Sequence, residues 1–250
     1  MTKNFLNSVV IIPARFESTR FPGKPLEKIA QKTMIQHVYE RASIARRPSE
    51  VIVATDDKRI KLAVESFGGT AKMTAKTHQS GTERIAEIIP KLKTDLVVNV
   101  QADEPLIDPA SIDAAIEPFD FDPELMISTV KSLATQKELK DPNVVKVVTD
   151  HKGYALYFSR ASIPFYKRTN GFQNILFKHI GLYVYKKSFF ETFSKLLKCK
   201  LEQLENLEQL RFLYNGYRIK VVHHECKSIG VDTPEDLIKV KEILEKNQKS

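Results

Sequence analysis

Three times in its first half the chain runs from an unbroken apolar stretch through a polar loop into helical spacing. That recurrence limits the fold more than any other feature. Residues 9–12 are wholly apolar, and Met34, Ile35, Val38, Tyr39, Ala42 and Ala45 follow at helical intervals. "EVIVA" (50–54) leads through "TDD" into Ile60, Leu62, Ala63, Val64 and Phe67, stopping at Gly68-Gly69. "DLVVNV" (95–100) leads through "QADEP" to a helix opening at Asp108-Pro109, where Asp caps and Pro takes the first helical position. Apolar runs without alternation are strands buried on both faces, and three strand-loop-helix units imply a parallel, doubly wound sheet. Ser80 and Glu83 have capping-box spacing and start a further helix.

From about residue 124 the texture changes. "ELMISTV", "NVVKVVTD", "GYALYFS" and "HIGLYVY" are β-rich with no helix between each, which reads as an antiparallel or mixed insertion. "LEQLENLEQLRFLYNG" restores helical spacing, "YRIKVV" is a short strand, and Thr233, Pro234 and Asp236 open a closing helix. With 42% hydrophobic residues in 250, the chain can bury one sizeable core, or one core with a substantial insertion. No window has the apolar length of a membrane span, and the N-terminal stretch lacks a signal-peptide core, so the expected place is the cytoplasm. Two cysteines, Cys199 and Cys226, without CxxC spacing fit a reducing compartment and ordinary packing.

Ligands of such sheets bind beyond the carboxyl ends of the strands. The loops that matter are therefore 13–25, 55–57, 101–105 and 230–233. The first contains neither a P-loop nor a GxGxxG motif, so a phosphate there must be held by side chains and backbone N–H groups. Arg15 and Arg20 suit paired bonds to phosphate oxygens, and Lys24 supplies a compact charge. An exposed basic loop is the plainer reading of the charges alone, but prolines framing Gly23-Lys24 stiffen this one. Asp103, just beyond an apolar strand, is a natural Mg²⁺ ligand. Asp232, next to the cap of the closing helix, is read either as a second ligand or as part of the helix entry. Adjacent His223 and His224 on a strand diverge, which speaks against a metal pair. The formal net charge of +8 admits nucleic acid or a polyanionic small substrate, and no nucleic-acid motif is present.

The ordered stretches "VVIIPARFESTRFPGKPL", "VIVATDD", "HQSGTERIAE", "VVNVQADEP", "GYALYFSRASIP", "KHIGLYVY", "LENLEQLRFL" and "GVDTPEDL" resemble the 3-deoxy-manno-octulosonate cytidylyltransferase (CMP-Kdo synthetase) family over nearly the whole chain. The resemblance implies an α/β fold: a Rossmann-like nucleotidyltransferase three-layer α/β/α sheet with a smaller β-rich dimerisation insertion. Residues 1–121 with 218–250 would bind nucleotide, and 122–217 would be the insertion for the sugar acid and dimerisation. It implies transfer of CMP from CTP to Kdo with release of pyrophosphate, for lipopolysaccharide synthesis, by a cytoplasmic, Mg²⁺-dependent homodimer that engages neither nucleic acid nor membrane. A related sugar acid, 8-amino-Kdo or a sialic acid, is the alternative substrate. Carried over by position, Pro13, Ala14, Arg15, Ser18, Arg20, Lys24, Ser80, Gly81 and Gln101 contact CTP, with Lys24, Arg15, Asp103 and Asp232 catalytic. Asp103 and Asp232 take the metal, and Gln101, Arg160, His179, Tyr183, Glu208 and Gln209 handle the sugar. Three departures stand out: Ala102 replaces a usual glycine, "QKT" (31–33) replaces "GKP", and the link between Pro164 and Gln173 is short.

Overall fold

The computed structural model describes residues 5–17, 21–165, 176–226, 228–231 and 233–248. By its internal contacts the chain forms two compact bodies: Leu6–Asp113 with Lys227–Ser250, and Met1–Phe5 with Ala114–Cys226.

In the first body, β1 (Ser8–Ala14) is buried along its whole length. A short hairpin follows, β2 (Lys28–Ile29) and β3 (Lys32–Thr33), and then α1 (Met34–Ala42), capped by the Thr33 side chain. The next units are β4 (Pro48–Thr55) with α2 (Lys58–Ser66), β5 (Thr70–Met73) with α3 (Gly81–Ile88), and β6 (Leu96–Asn99) with α4 (Pro109–Ile116). The strands run β6-β1-β4-β5, all parallel, with Ile11 opposite both Ile52 and Asn99. The wholly apolar runs are thus the strands buried on both faces, as a parallel sheet requires. The closing helix Pro234–Gln248 begins with a reciprocal cap: the Asp236 N–H donates to Thr233 Oγ1 and the Thr233 N–H to Asp236 Oδ2.

The second body holds β7 (Ile127–Leu133), α5 (Gln136–Lys140), β8 (Lys146–Thr149), β9 (Ala155–Ser159), β10 (Phe177–Lys186), α6 (Phe189–Phe193), α7 (Lys200–Glu205), α8 (Gln209–Tyr214) and β11 (Ile219–His223). Its strands run β11-β7-β10-β8-β9, with only the β11–β7 pair parallel. β10 shifts register against β7 between Ile180 and Tyr183. The helical stretch that begins at Lys200 splits in two because Asn206 turns left-handed (φ 53°). Tyr185, Phe189, Phe193 and Phe212 pack in stacked, tilted and edge-on pairs into an aromatic core. Cys199 is buried, Cys226 half-buried, and both are free thiols. No helix among the described residues is long and apolar enough to cross a membrane.

Candidate active site

Past β1 the backbone leaves Pro13 and Ala14 buried and turns Arg15 out to solvent. Ser18 and Arg20 lie outside the described residues. The loop closes where the Gly23 N–H donates to the Phe16 carbonyl at 2.8 Å. Gly23 has φ 75°, a conformation that costs glycine little and other residues much. A single 3-10 turn, Lys24–Leu26, follows with Pro25 in its first positions. This turn carries the Lys24 ammonium inward, where it donates to Asp103 Oδ2 at 2.6 Å and to the Val231 carbonyl at 2.8 Å. Val231 in turn donates its N–H to the Asp103 carbonyl at 2.8 Å.

Three loops expected to face the ligand therefore meet at one point. What holds them is apolar: Ile29, Met34, Val231, Leu237 and Val240 form a buried cluster, and Phe21, Leu106 and Ile229 pack on it. Phe21 comes from the first loop, Val231 from the last, and Leu106 directly follows the 101–105 loop, so the ion pair rests on a fixed floor. The Lys24 side chain is 12% exposed and that of Asp103 32%. The carboxylate therefore keeps a solvent-facing side while the lysine stem is covered, the usual behaviour of a long cationic side chain.

α3 starts against β1. Ser80 Oγ accepts the Glu83 N–H at 3.2 Å, and the Glu83 carboxylate reaches back to the Gln79 N–H at 2.7 Å. A Cβ on Gly81 would come within 2.9 Å of the Pro13 ring, so only glycine lets this helix start approach the strand end so closely. Pro13, Ala14, Ser80 and Gly81 thereby share one rim. Arg84, buried on the apolar side of α3, donates to Asp56 Oδ2 at 2.8 Å and to Thr74 Oγ1 at 2.5 Å. That pair joins the end of β4 to the same rim. Gln101 donates its amide to Asn99 Oδ1 at 3.2 Å.

The remaining candidates lie in the second body. Arg160 is held on three sides: its N–H donates to Glu205 Oε2 at 2.8 Å, its Nε to the Glu205 carbonyl at 2.7 Å, and its Nη1 to the Pro142 carbonyl at 3.0 Å. Lys146, fully buried, donates to the carbonyls of Asp141, Val144 and Arg160, and burial lowers its pKa. His179 Nε2 lies 2.8 Å from Thr129 Oγ1, which also lies 2.6 Å from the Leu182 carbonyl. Because that carbonyl can only accept, the threonine proton goes there and His179 Nε2 is the donor, leaving Nδ1 as the acceptor nitrogen. Burial takes the His179 pKa from 6.5 down to about 3, so the ring is neutral at physiological pH. Tyr183 packs against it at 5.2 Å between ring centres. The Tyr183 hydroxyl is buried and has no hydrogen-bond partner among the described residues. Burial first, and then the neighbouring Tyr185 and Glu208, push its pKa well above the ordinary value, so it stays a donor. Glu208 precedes α8 and Gln209, buried, opens it.

Residues 9–221 match the sequence model of a family described as Cytidylyltransferase. The 3-deoxy-manno-octulosonate cytidylyltransferase of Solibacter usitatus is 53% identical, covering 94% of this chain and 93% of its own. That of Geobacter sulfurreducens is 52% identical, covering 96% of this chain and 100% of its own. The chain belongs to the 3-deoxy-manno-octulosonate cytidylyltransferase family. It is a nucleotidyltransferase with the Rossmann-like fold of that group. The solved structure of a CMP:2-keto-3-deoxy-manno-octonic acid synthetase complexed with CTP matches it with a TM-score of 0.91 at 41% identity, over 96% of this chain and 99% of that one. A 4-diphosphocytidyl-2C-methyl-D-erythritol synthase from Anaerococcus prevotii shares the fold at a TM-score of 0.63 and 15% identity.

Within this cytidylyltransferase, Lys24 and Asp103 come together directly, and Pro13, Ala14, Ser80 and Gly81 gather where α3 meets the end of β1. Asp232, the expected second carboxylate, lies outside the described residues, although Val231 and Thr233 on either side of it are in place. Among the described residues no three His, Cys, Asp or Glu side chains gather as a metal cluster. Three supporting residues had no assigned role in the sequence. Arg84 left a usable signal, a charge at the helical spacing of Ile85 and Ile88. Asp56 lies in the 55–57 loop, one of those beyond the carboxyl end of a strand. Thr129, within the strand run "MISTV", left none.

Proposed function

We propose that this cytidylyltransferase activates Kdo: the anomeric hydroxyl oxygen of the sugar attacks the α-phosphorus of CTP, the bond to the β-phosphate oxygen breaks, and pyrophosphate leaves as the hydroxyl proton is lost. The observation that carries the reading is the Lys24–Asp103 pair at the carboxyl ends of β1 and β6. Lys24 exchanges its carboxylate partner for triphosphate oxygens and stabilises charge that builds on the departing pyrophosphate, the kind of contact that lowers a barrier most when it is set in advance. The Val231 carbonyl keeps the ammonium aimed through that exchange. Arg15, and Arg20 on the sequence reading, add bonds to the phosphates, while the α3 start with Ser80 and Gly81 and the backbone at Pro13 and Ala14 receive the nucleotide.

Asp103 suits a divalent ion: it offers hard oxygens, and a single exposed carboxylate plus substrate phosphates is how Mg²⁺ is commonly held. Asp103 and Asp232 are the residues we assign to it. When bound, Mg²⁺ would neutralise phosphate charge and make the attacking hydroxyl more acidic. Arg160, His179, Tyr183, Glu208, Gln209 and Gln101 are assigned to the sugar acid. The buried Tyr183 hydroxyl, without a partner among the described residues, supports this, since such a group costs stability unless a ligand satisfies it. We further assign a cytoplasmic homodimer serving lipopolysaccharide synthesis.

The test is pyrophosphate release from CTP, Mg²⁺ and a panel of Kdo, 8-amino-Kdo and a sialic acid. The highest kcat/KM is expected with Kdo. Release with none of them, beside an active control enzyme, would overturn the reading, and preference for another sugar would replace Kdo by that acid.

A further inference from the structure

Lys24 owes its position to a second line of contacts that begins at the end of β4. Asp57, the cap of α2, accepts the Arg59 N–H at 2.8 Å and Nε at 3.0 Å on Oδ1, and Nη2 at 2.7 Å on Oδ2. Both carboxylate oxygens thus grip one guanidinium, a planar arrangement that fixes its orientation as a single-point contact would not. So oriented, the guanidinium lies 3.4 Å from the centre of the Phe16 ring. Phe16 in turn closes the loop in two ways. Its carbonyl accepts the Gly23 N–H, and its ring occupies the space beside Gly23, where an added Cβ would come within 3.2 Å of Cζ. The residue after Gly23 is Lys24, and α2 itself packs against the Lys24–Leu26 turn.

We propose that Arg59 is a positioning residue for Lys24, acting through the Phe16 ring and the left-handed turn at Gly23. Its guanidinium belongs to Asp57 and Phe16, and its contribution reaches the phosphates only through the loop it braces. In kinetic terms this rests on the nucleotidyl-transfer reading of Lys24. The Arg59 side chain is 60% exposed, so its removal leaves no buried cavity and the fold is expected to survive.

Steady-state kinetics on Arg59→Ala, Lys24→Ala and the double variant supply the first test. Arg59→Ala is expected to lower kcat about three- to tenfold with less than a twofold change in the KM for CTP, the signature of a charge displaced from its transition-state position. In the Lys24→Ala background the same substitution should change kcat by less than about twofold, because residues that act in series do not add. Arg59→Lys should recover only part of the loss, since an ammonium cannot lie flat on the ring while holding both carboxylate oxygens. Equal losses in both backgrounds would overturn the proposal and place Arg59 on the nucleotide itself. An unchanged kcat in Arg59→Ala would overturn it outright. Amide hydrogen exchange, which needs no activity, supplies the second test: exchange at Gly23 should rise about tenfold in Arg59→Ala while that of Val64 inside α2 stays as in the wild type. Unchanged exchange at Gly23 sinks the proposal however the enzyme behaves. Failure of the wild type to release pyrophosphate sinks the functional reading and leaves the exchange result to decide this one.

Discussion

Lys24 and Asp103 in the first body and His179 and Tyr183 in the second carry polar chemistry in opposite ways. The first pair is ionised, direct and partly open to water, with its members arriving on separate loops over an apolar floor. The second is neutral and set among aromatic rings, with His179 held by Thr129 and Tyr183 without a hydroxyl partner among the described residues. An ion pair with one side open to water is cheap to exchange, because an incoming ligand charge can replace the partner that faces solvent. A buried neutral donor is instead selective, since only a ligand that satisfies it regains what burial has cost. The contrast predicts that damage to the first pair acts on turnover, and damage to the second on sugar affinity and stability.

The largest effect should come from Asp103→Asn. Loss of the charge removes both the proposed metal ligand and the ion-pair partner of Lys24, and kcat should fall by about 10³-fold or more while circular dichroism stays native. Turnover like the wild type would remove Asp103 from the metal site. Lys24→Ala should lower kcat by about 10²-fold, with a smaller change in the KM for CTP. A rise in KM alone would reduce Lys24 to ground-state binding and narrow the difference between the two regions.

Tyr183→Phe tests the other side. With the hydroxyl gone, the KM for the sugar acid should rise up to about tenfold, the worth of one hydrogen bond, while the KM for CTP holds. Urea unfolding should show equal or slightly higher stability, since the variant no longer buries an unpaired hydroxyl. A marked loss of stability would mean that the hydroxyl is satisfied within the protein, and the proposed sugar contact would fall.

These two regions were also unequally legible. Lys24 and Asp103 could be read because a parallel sheet presents its ligand loops at predictable places, directly after apolar runs. Their direct pairing could not, because the turn that delivers Lys24 depends on Gly23, Phe16 and a core cluster drawn from residues 21 to 244. Tyr183 entered only by resemblance, and for His179 the bordering β-rich segment left open whether the ring reaches an acidic substrate or merely satisfies its neighbours. Both residues sit on β10, where a register shift between Ile180 and Tyr183 sets their surroundings, and no local periodicity announces such a shift. Thr129 was illegible for the same reason: its hydroxyl matters only because the shifted strand brings the Leu182 carbonyl to it.

The depressed pKa of His179 gives a pH signature confined to the second body. In the unfolded chain the ring titrates near 6.5, and in the folded protein near 3. Between those values the unfolded state binds the extra proton, so its stabilising share is intact above 6.5 and is lost as pH falls toward 3. The slope from this one group approaches about 1.4 kcal/mol per pH unit. The unfolding free energy of the wild type should therefore fall relative to that of His179→Gln as pH drops from 6.5 toward 3, while above 6.5 the offset between the two stays constant. Parallel curves would show that the ring is not kept neutral by burial.

The smallest expected effect lies at the hairpin in the first body where "QKT" stands. Ala30 and Gln31 both have positive φ, 45° and 72°, in the two-residue connection between β2 and β3. Such a turn favours Asn-Gly because each non-glycine residue in this conformation costs on the order of 1 kcal/mol. Gln31→Gly relieves the strain and gives back part of the gain as chain entropy in the unfolded state, so a net stabilisation of about 0.5–1 kcal/mol is expected. In a chain of this length that is a rise of about 1–4 °C in Tm. Turnover should not change, because Ile29 before the turn is already locked in the buried cluster with Val231, and Thr33 after it caps α1 through the Gln36 N–H. A change in kcat here would show that the Lys24 loop is sensitive to strain at its flank, and the floor beneath the ion pair would be softer than its packing implies.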